Sequence, residues 1–175
     1  MSLTIRQASV AEFAAVRAFY DQLIDALETR PHHPMWSKDG HPADAYLMAA
    51  LERSELWIAE LQGQLVGAMV VNHDANDGYK NVPWRVQAAE REVSIVHALG
   101  VSPHCQGQGI GSAMMHHVMD CARAAGEKAI RLDLIDLNLP AERVYLSLGF
   151  YKCAEVRLFY KEVGWQLFHM YEYAL

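Results

Sequence analysis

Three glycines at every second position, Gly107, Gly109 and Gly111, follow a run of alternating apolar residues and open a helical period. No other feature of the chain limits its fold so strongly. The run is His97-Ala98-Leu99-Gly100-Val101, and Pro103 ends it; the turn is Gln106-Gly107-Gln108-Gly109-Ile110-Gly111-Ser112, and helical spacing starts at Ile110. This is a strand, a loop and a helix. Glycines let backbone approach a ligand closely, and the first turn of a helix offers unpaired N–H groups with a dipole worth roughly half a positive charge. The guest such a loop suits is a phosphate or pyrophosphate.

A chain of 175 residues, 52% of them apolar, suits a single domain, 1–175, with an ordinary core. A formal charge of −6 with no Lys/Arg run argues against nucleic acid or an anionic membrane as partner and leans towards a cationic substrate. Cys105, Cys121 and Cys153 form no close pair and cannot all be disulfide-bonded within one chain, which fits a reducing compartment. No apolar run approaches the roughly 20 residues of a membrane span, and the N-terminus lacks a signal-peptide apolar stretch, so a cytoplasmic location is expected.

Along the chain, a short strand at residues 4–8 precedes Ser9-Val10-Ala11-Glu12, which has the spacing of a capping box. Phe13, Val16, Tyr20, Leu23 and Leu27 then form one apolar helical stripe. Residues 30–40, broken by Pro31, Pro34 and Gly40, carry Met35 and Trp36 and read as a pocket-lining loop; Pro42 suits the first position of a second helix reaching about Arg53. Runs 56–61 and 65–73, joined by Gln62-Gly63-Gln64, read as an antiparallel hairpin, and 74–89, with Tyr79 and Trp84, as a second substrate-side loop. From 92 to 101, Val93, Ile95, His97, Leu99 and Val101 alternate onto one face of a strand, where Gly100 marks a bulge or a close approach. Residues 110–125 form a helix with Gly126 beyond its end, and 129–135 a strand parallel to the preceding one through a right-handed crossover. Asn138 and Pro140 open a helix closed by Gly149, and strands at 151–160 and 166–174 flank a turn at Gly164.

Three anion cradles compete. A P-loop ends in Gly-Lys-Ser/Thr, and no lysine lies near Gly111. A dinucleotide fingerprint has its first two glycines in Gly107 and Gly109 and an acidic residue at about the right distance in Asp133, but Ser112 stands where its third glycine belongs. Only the last third of the chain follows the motif, too little for two mononucleotide halves. The third cradle rests on a resemblance: Gln106-Gly107-Gln108-Gly109-Ile110-Gly111 matches the Q/R-x-x-G-x-G/A signature of the GNAT superfamily of acyl-CoA-dependent N-acyltransferases. Asn138-x-x-Ala141-x-x-x-Tyr145-x-x-x-Gly149-Phe150 resembles that family's second block, and the element order is similar over nearly the full length. The fold this implies is mixed α+β, a central, mostly antiparallel sheet of about seven strands with a parallel pair around the acyl-CoA site, flanked by four helices.

The resemblance implies acetyl-CoA as co-substrate and acetyl transfer to a primary amine. Leu99, Gly100 and Val101 would pair through backbone with the pantetheine arm, and Gln106, Gly107, Gln108, Gly109, Ile110, Gly111 and Ser112 would surround the pyrophosphate. Asn138, Ala141 and Tyr145 complete the implied cofactor site. Relatives often carry arginine where this chain has Gln106, so a cationic phosphate contact is missing there. An amine is mostly protonated at pH 7, so attack on a thioester needs a base; His97 is the candidate, Glu90 and Glu92 the fallbacks, and a histidine on an apolar strand face is equally often a core residue. Tyr145 occupies the family's general-acid position. Trp36, Tyr79, Trp84, Phe159 and Tyr160 are candidates for an aromatic acceptor pocket, while each also suits simple packing. The likeness of His97–Val101 to serotonin N-acetyltransferase-like members points to an arylalkylamine. The expected partner is a small-molecule amine; the alternatives are a protein lysine or N-terminal amine as acceptor, and a non-catalytic acyl-CoA sensor. A homodimer through the C-terminal strands is a family-level expectation. His32-His33 and His116-His117 lack further ligands at metal-site spacing, so no metal is expected.

Overall fold

The computed structural model describes residues 3–31, 33–161 and 164–175; His32 of the His32-His33 pair lies outside them. The strands are β1 (Leu3–Gln7), β2 (Leu56–Leu61), β3 (Gln64–Asn72), β4 (Val93–Val101), β5 (Ala129–Ile135), β6 (Tyr151–Tyr160) and β7 (Gly164–Ala174). The helices are α1 (Phe13–Leu27), α2 (Asp44–Glu52), α3 (Ile110–Ala124) and α4 (Leu139–Ser147). One mixed sheet runs in the order β1-β2-β3-β4-β5-β7-β6, with β4 and β5 its parallel pair. No described helix is long and apolar enough to cross a membrane.

Contacts divide the chain into two compact units: Met1–Pro31, Trp36–Val71 and His97–His117 in the first, and His32–Met35, Asn72–Val96 and Val118–Leu175 in the second. In the first unit Val16, Tyr20 and Leu23 of the α1 stripe are buried, while Phe13 and Leu27 at its ends are partly buried against the same cluster. Those three and Phe19, which the stripe did not include, join Leu47, Ala50 and Leu51 of α2 over Leu56, Ile58, Ala68 and Val70. The β2–β3 hairpin turns through Gln62 (φ 55°) and Gly63 (φ 74°), the left-handed pair that matches strand twist. Glu12 accepts the N–H and hydroxyl of Ser9, but the first turn there is 3₁₀, so α1 proper begins at Phe13. Likewise α2 begins at Asp44 rather than Pro42, because Ala43 is still extended (φ −72°, ψ 153°) and the Pro42 carbonyl is taken by Arg17 Nη1 at 2.6 Å.

In the second unit β5 pairs antiparallel with β7 from Ala129↔Ala174 to Ile135↔Phe168, and β6 pairs with β7 with an irregularity between Lys152 and Ala154. The parallel ladder of β4 with β5 covers Val93↔Ala129, Ser94↔Ile130 and Ile95↔Arg131. α3 ends in a left-handed Gly126 (φ 74°), with the Glu127 N–H returning to the Ala122 carbonyl at 3.0 Å. A fully buried carboxylate, Glu172, ties the loop before β4 to the sheet. Its Oε1 accepts the N–H groups of Arg85 (2.9 Å) and Val86 (3.0 Å), and its Oε2 accepts Arg131 Nε at 2.9 Å.

The alternation expected along 93–101 does not run unbroken. Ala98 has φ 50°, a left-handed residue inside the strand. Ala98 packs against the α1 cluster, and a Cβ at Gly100 would lie 2.4 Å from Leu23 Cδ2, so both turn towards α1. The left-handed Ala98 stands between His97 and Leu99, where a strict two-residue period assumes extended backbone.

Candidate active site

The glycine loop folds as an open cradle within the first unit. Gly107 (φ 77°) and Gly109 (φ 76°) are left-handed, and a Cβ at either would meet nothing within 4 Å, so conformation rather than space demands glycine there. A Cβ at Gly111 would touch Val101 Cγ2 at an ordinary 3.5 Å, so nothing in the chain itself requires glycine at that position. The Ala113 N–H goes to the Gly109 carbonyl at 2.9 Å; the N–H groups of Ile110, Gly111 and Ser112 precede it in the first turn, where helix geometry supplies no acceptor. Gln106, Gly107, Gln108 and Gly109 are exposed. Such a turn can hold an anion through backbone alone.

Arg30, just beyond α1, donates through Nη1 to Gln106 Oε1 at 2.6 Å, which sets a guanidinium beside the glycine loop. Proximity in sequence gave no sign of it, since 76 residues separate the two.

Within the second unit, Tyr145 is 6% exposed on α4, edge-on to Phe150 at 5.7 Å. Its hydroxyl has no hydrogen-bond partner among the described residues. Burial pushes the phenol well above its usual value of 10, and the Asp133 carboxylate adds to the push, so Tyr145 stays protonated at working pH. Asn138 precedes α4 without capping it through its side chain, contrary to the capping role its sequence position suggests, and its amide is not spent on the helix. Ala141 lies one turn before Tyr145, half-buried.

Asp133 is a candidate that sequence reading did not place in the site. It sits on β5 between Leu132 and Leu134, and its Oδ2 accepts both the Tyr79 hydroxyl and the Tyr160 hydroxyl at 2.9 Å. Oδ1 takes no hydrogen bond from the described residues. Burial raises its pKa, and the two tyrosine bonds oppose the rise. The signal was an acid in the middle of an apolar strand, which in sequence served only the rejected dinucleotide comparison.

The candidate aromatics separate accordingly. Tyr79 and Tyr160 meet on Asp133, and Trp84 joins them, its Nε1 on the Tyr79 carbonyl at 2.9 Å and its ring 5.4 Å from that of Tyr79. Phe159 is not brought there: it is 53% exposed and packs on Trp165, ring centroids 5.6 Å apart. Trp36 belongs to the first unit, edge-on to Tyr20 at 5.8 Å and beside Gly100. His97, also in the first unit, is half-buried. Glu92 makes a poor base, because the Ala89 N–H and Lys128 Nζ hold its carboxylate below the usual range. Glu90 is exposed.

A mixed seven-stranded sheet with one parallel pair, and a left-handed glycine turn feeding a helix, define a class. The acetyltransferase (GNAT) family model matches residues 16–150, and the chain belongs to that family. It is 28% identical over 110 residues to N-acetyltransferase 8F1 of Rattus norvegicus, covering 62% of this chain and 45% of that protein. Over 58 residues it is 34% identical to streptothricin acetyltransferase of Streptomyces lavendulae, covering 33% and 31%. The chain yncA of Salmonella typhimurium, solved with its cofactor acetyl-CoA, is similar in fold with a TM-score of 0.71 at 22% identity, covering 100% of this chain and 95% of that one. The chain spans less than half the length of these curated relatives.

Proposed function

We propose that this chain transfers the acetyl group of acetyl-CoA to the primary amine of a small molecule by direct attack of the amine on the thioester. The observation that carries the reading is the matched signature at Gln106–Gly111, folded as a left-handed turn into the first turn of α3. In this reading Gln106 to Ser112 hold the pyrophosphate and the β4 backbone at Leu99 and Val101 pairs with the pantetheine arm. The ammonium gives one proton to a base, the freed amine nitrogen bonds to the thioester carbon, and the C–S bond breaks. Tyr145 donates its proton to the departing CoA sulfur, and the second proton leaving the new amide nitrogen restores the phenol. Its unbonded hydroxyl supports that role, and its raised pKa means that the transfer completes only as negative charge grows on sulfur.

Two bases compete. His97 is the choice read from β4, and Asp133 is favoured by one observation: an Oδ1 that takes no hydrogen bond from the described residues, on a carboxylate whose other oxygen is fixed by Tyr79 and Tyr160. The aromatic frame of Tyr79, Tyr160 and Trp84, with the chain's net charge of −6, supports a small cationic amine over a protein lysine or N-terminus as the acceptor.

The test is thermal stabilisation by acetyl-CoA, then release of free thiol over a panel of small amines and a lysine peptide. Turnover on small amines is expected. Turnover on the peptide alone overturns the acceptor class, binding without turnover points to a sensor, and absence of binding removes the assignment. Tyr145→Phe should lower kcat on the order of a hundredfold with acetyl-CoA affinity unchanged. Of His97→Asn and Asp133→Asn, the one that abolishes the acid limb of the pH profile identifies the base.

A further inference from the structure

The left-handed residue in β4 has a partner. Its turned peptide aims the Ala98 carbonyl at α1, where the Tyr20 hydroxyl donates to it at 2.7 Å. Tyr20 is fully buried, edge-on to Phe19 at 5.4 Å and to Trp36 at 5.8 Å, so its ring cannot swing to another acceptor. Burial pushes its phenol far above the usual value, which leaves it a permanent neutral donor. At the next residue but one, the 2.4 Å approach between a Gly100 Cβ and Leu23 would be a clash, so glycine lets β4 lie directly on α1. A residue with a Cβ rests unwillingly at φ 50°, and such conformations persist where surrounding structure imposes them.

We infer that Tyr20 is a positioning residue for acetyl transfer: by holding the Ala98 carbonyl it fixes the aim of the Leu99 N–H towards the thioester arm of acetyl-CoA. The Ala98 carbonyl and the Leu99 N–H belong to one planar trans peptide and point in opposite directions, so a bond to the first sets the second. The inference rests on the acetyl-CoA reading of β4. It assigns to a buried helix residue, outside the glycine loop and the second motif, control over a backbone donor that the chemistry uses.

Tyr20→Phe removes the hydroxyl and keeps the ring. Its kcat should fall about tenfold while the affinity for free CoA, measured by calorimetry, stays within about twofold, because the pyrophosphate loop is untouched. Ala98→Gly should be near neutral, since glycine adopts the left-handed conformation unaided, and in that background Tyr20→Phe should cost about threefold. Should Tyr20→Phe alone fail to fold, the comparison is made wholly in the Ala98→Gly background. A residue that merely stabilises the fold would lower Tm and leave kcat per folded molecule unchanged in both backgrounds; that result, or an equal penalty in both, overturns the inference. A wild-type chain that neither binds nor turns over acetyl-CoA overturns the acetyltransferase reading and the inference with it, whereas wild-type turnover matched by Tyr20→Phe overturns the inference alone.

Discussion

Arg30 illustrates how a single side chain can change the electrostatics expected of a motif. A glutamine at position 106 leaves the loop without a charge of its own, yet the guanidinium at 2.6 Å from that glutamine restores one. Arg30→Ala should therefore raise KM for acetyl-CoA about three- to tenfold with kcat unchanged, and the difference should shrink as salt rises. Turnover of S-acetylpantetheine, which has no pyrophosphate, should not respond to the substitution; a response there would move Arg30 out of phosphate binding. At this scale the sequence was legible wherever the backbone dictated the residue, as at Gly107 and Gly109. It was silent where a contact joined positions far apart, as in Arg30 with Gln106 or Tyr20 with Ala98, because nothing local constrains either partner.

Among the elements, the loop before β4 is held rather than loose. Glu172 on β7 accepts two of its N–H groups, Arg131 on β5 pairs with Glu172 and donates to the Val86 carbonyl at 2.8 Å, and the Arg131 guanidinium lies 4.3 Å from the centre of the Trp84 ring. Glu172→Gln leaves Arg131, whose side chain is 12% exposed, without its counter-charge. Breaking a buried pair from one side costs about 3–5 kcal/mol, which for a chain of this size is a fall in Tm of roughly 10 °C, and protease should then cut within 74–89. An unchanged Tm with an uncut loop would refute the role of Glu172 in holding it. Strands β2 to β7 were readable from period and turn chemistry, with ends displaced by a residue or two. The β4 interruption was not readable, since alanine gives no warning of a left-handed conformation, and Gly100, the residue that did hint at a bulge, lies two positions further on.

For the whole molecule, Glu12 is one source of acid sensitivity. Arg6 bonds Glu12 at 2.7 Å and Glu60 at 2.9 Å, and the Arg6 bonds with the Ser9 N–H hold the Glu12 carboxyl down to about 2. A carboxyl depressed in the folded state binds its proton more readily when unfolded, so its contribution is full above the unfolded value near 4.5 and is lost as pH falls towards 2. The Tm of the wild type should drop through that window, and Glu12→Gln should flatten the drop; parallel curves would exclude Glu12 as the source. The partition into two compact units has a consequence for synthesis. The chain passes from one unit to the other inside β4, between Val96 and His97, and inside α3, between His117 and Val118. All segments of the first unit have therefore left the ribosome once residue 117 is clear, while residues 72–96 of the second must wait for 118–175 to be translated. Vectorial folding thus favours assembly of the glycine cradle before the unit that carries Tyr145 and Asp133 has received its last strand.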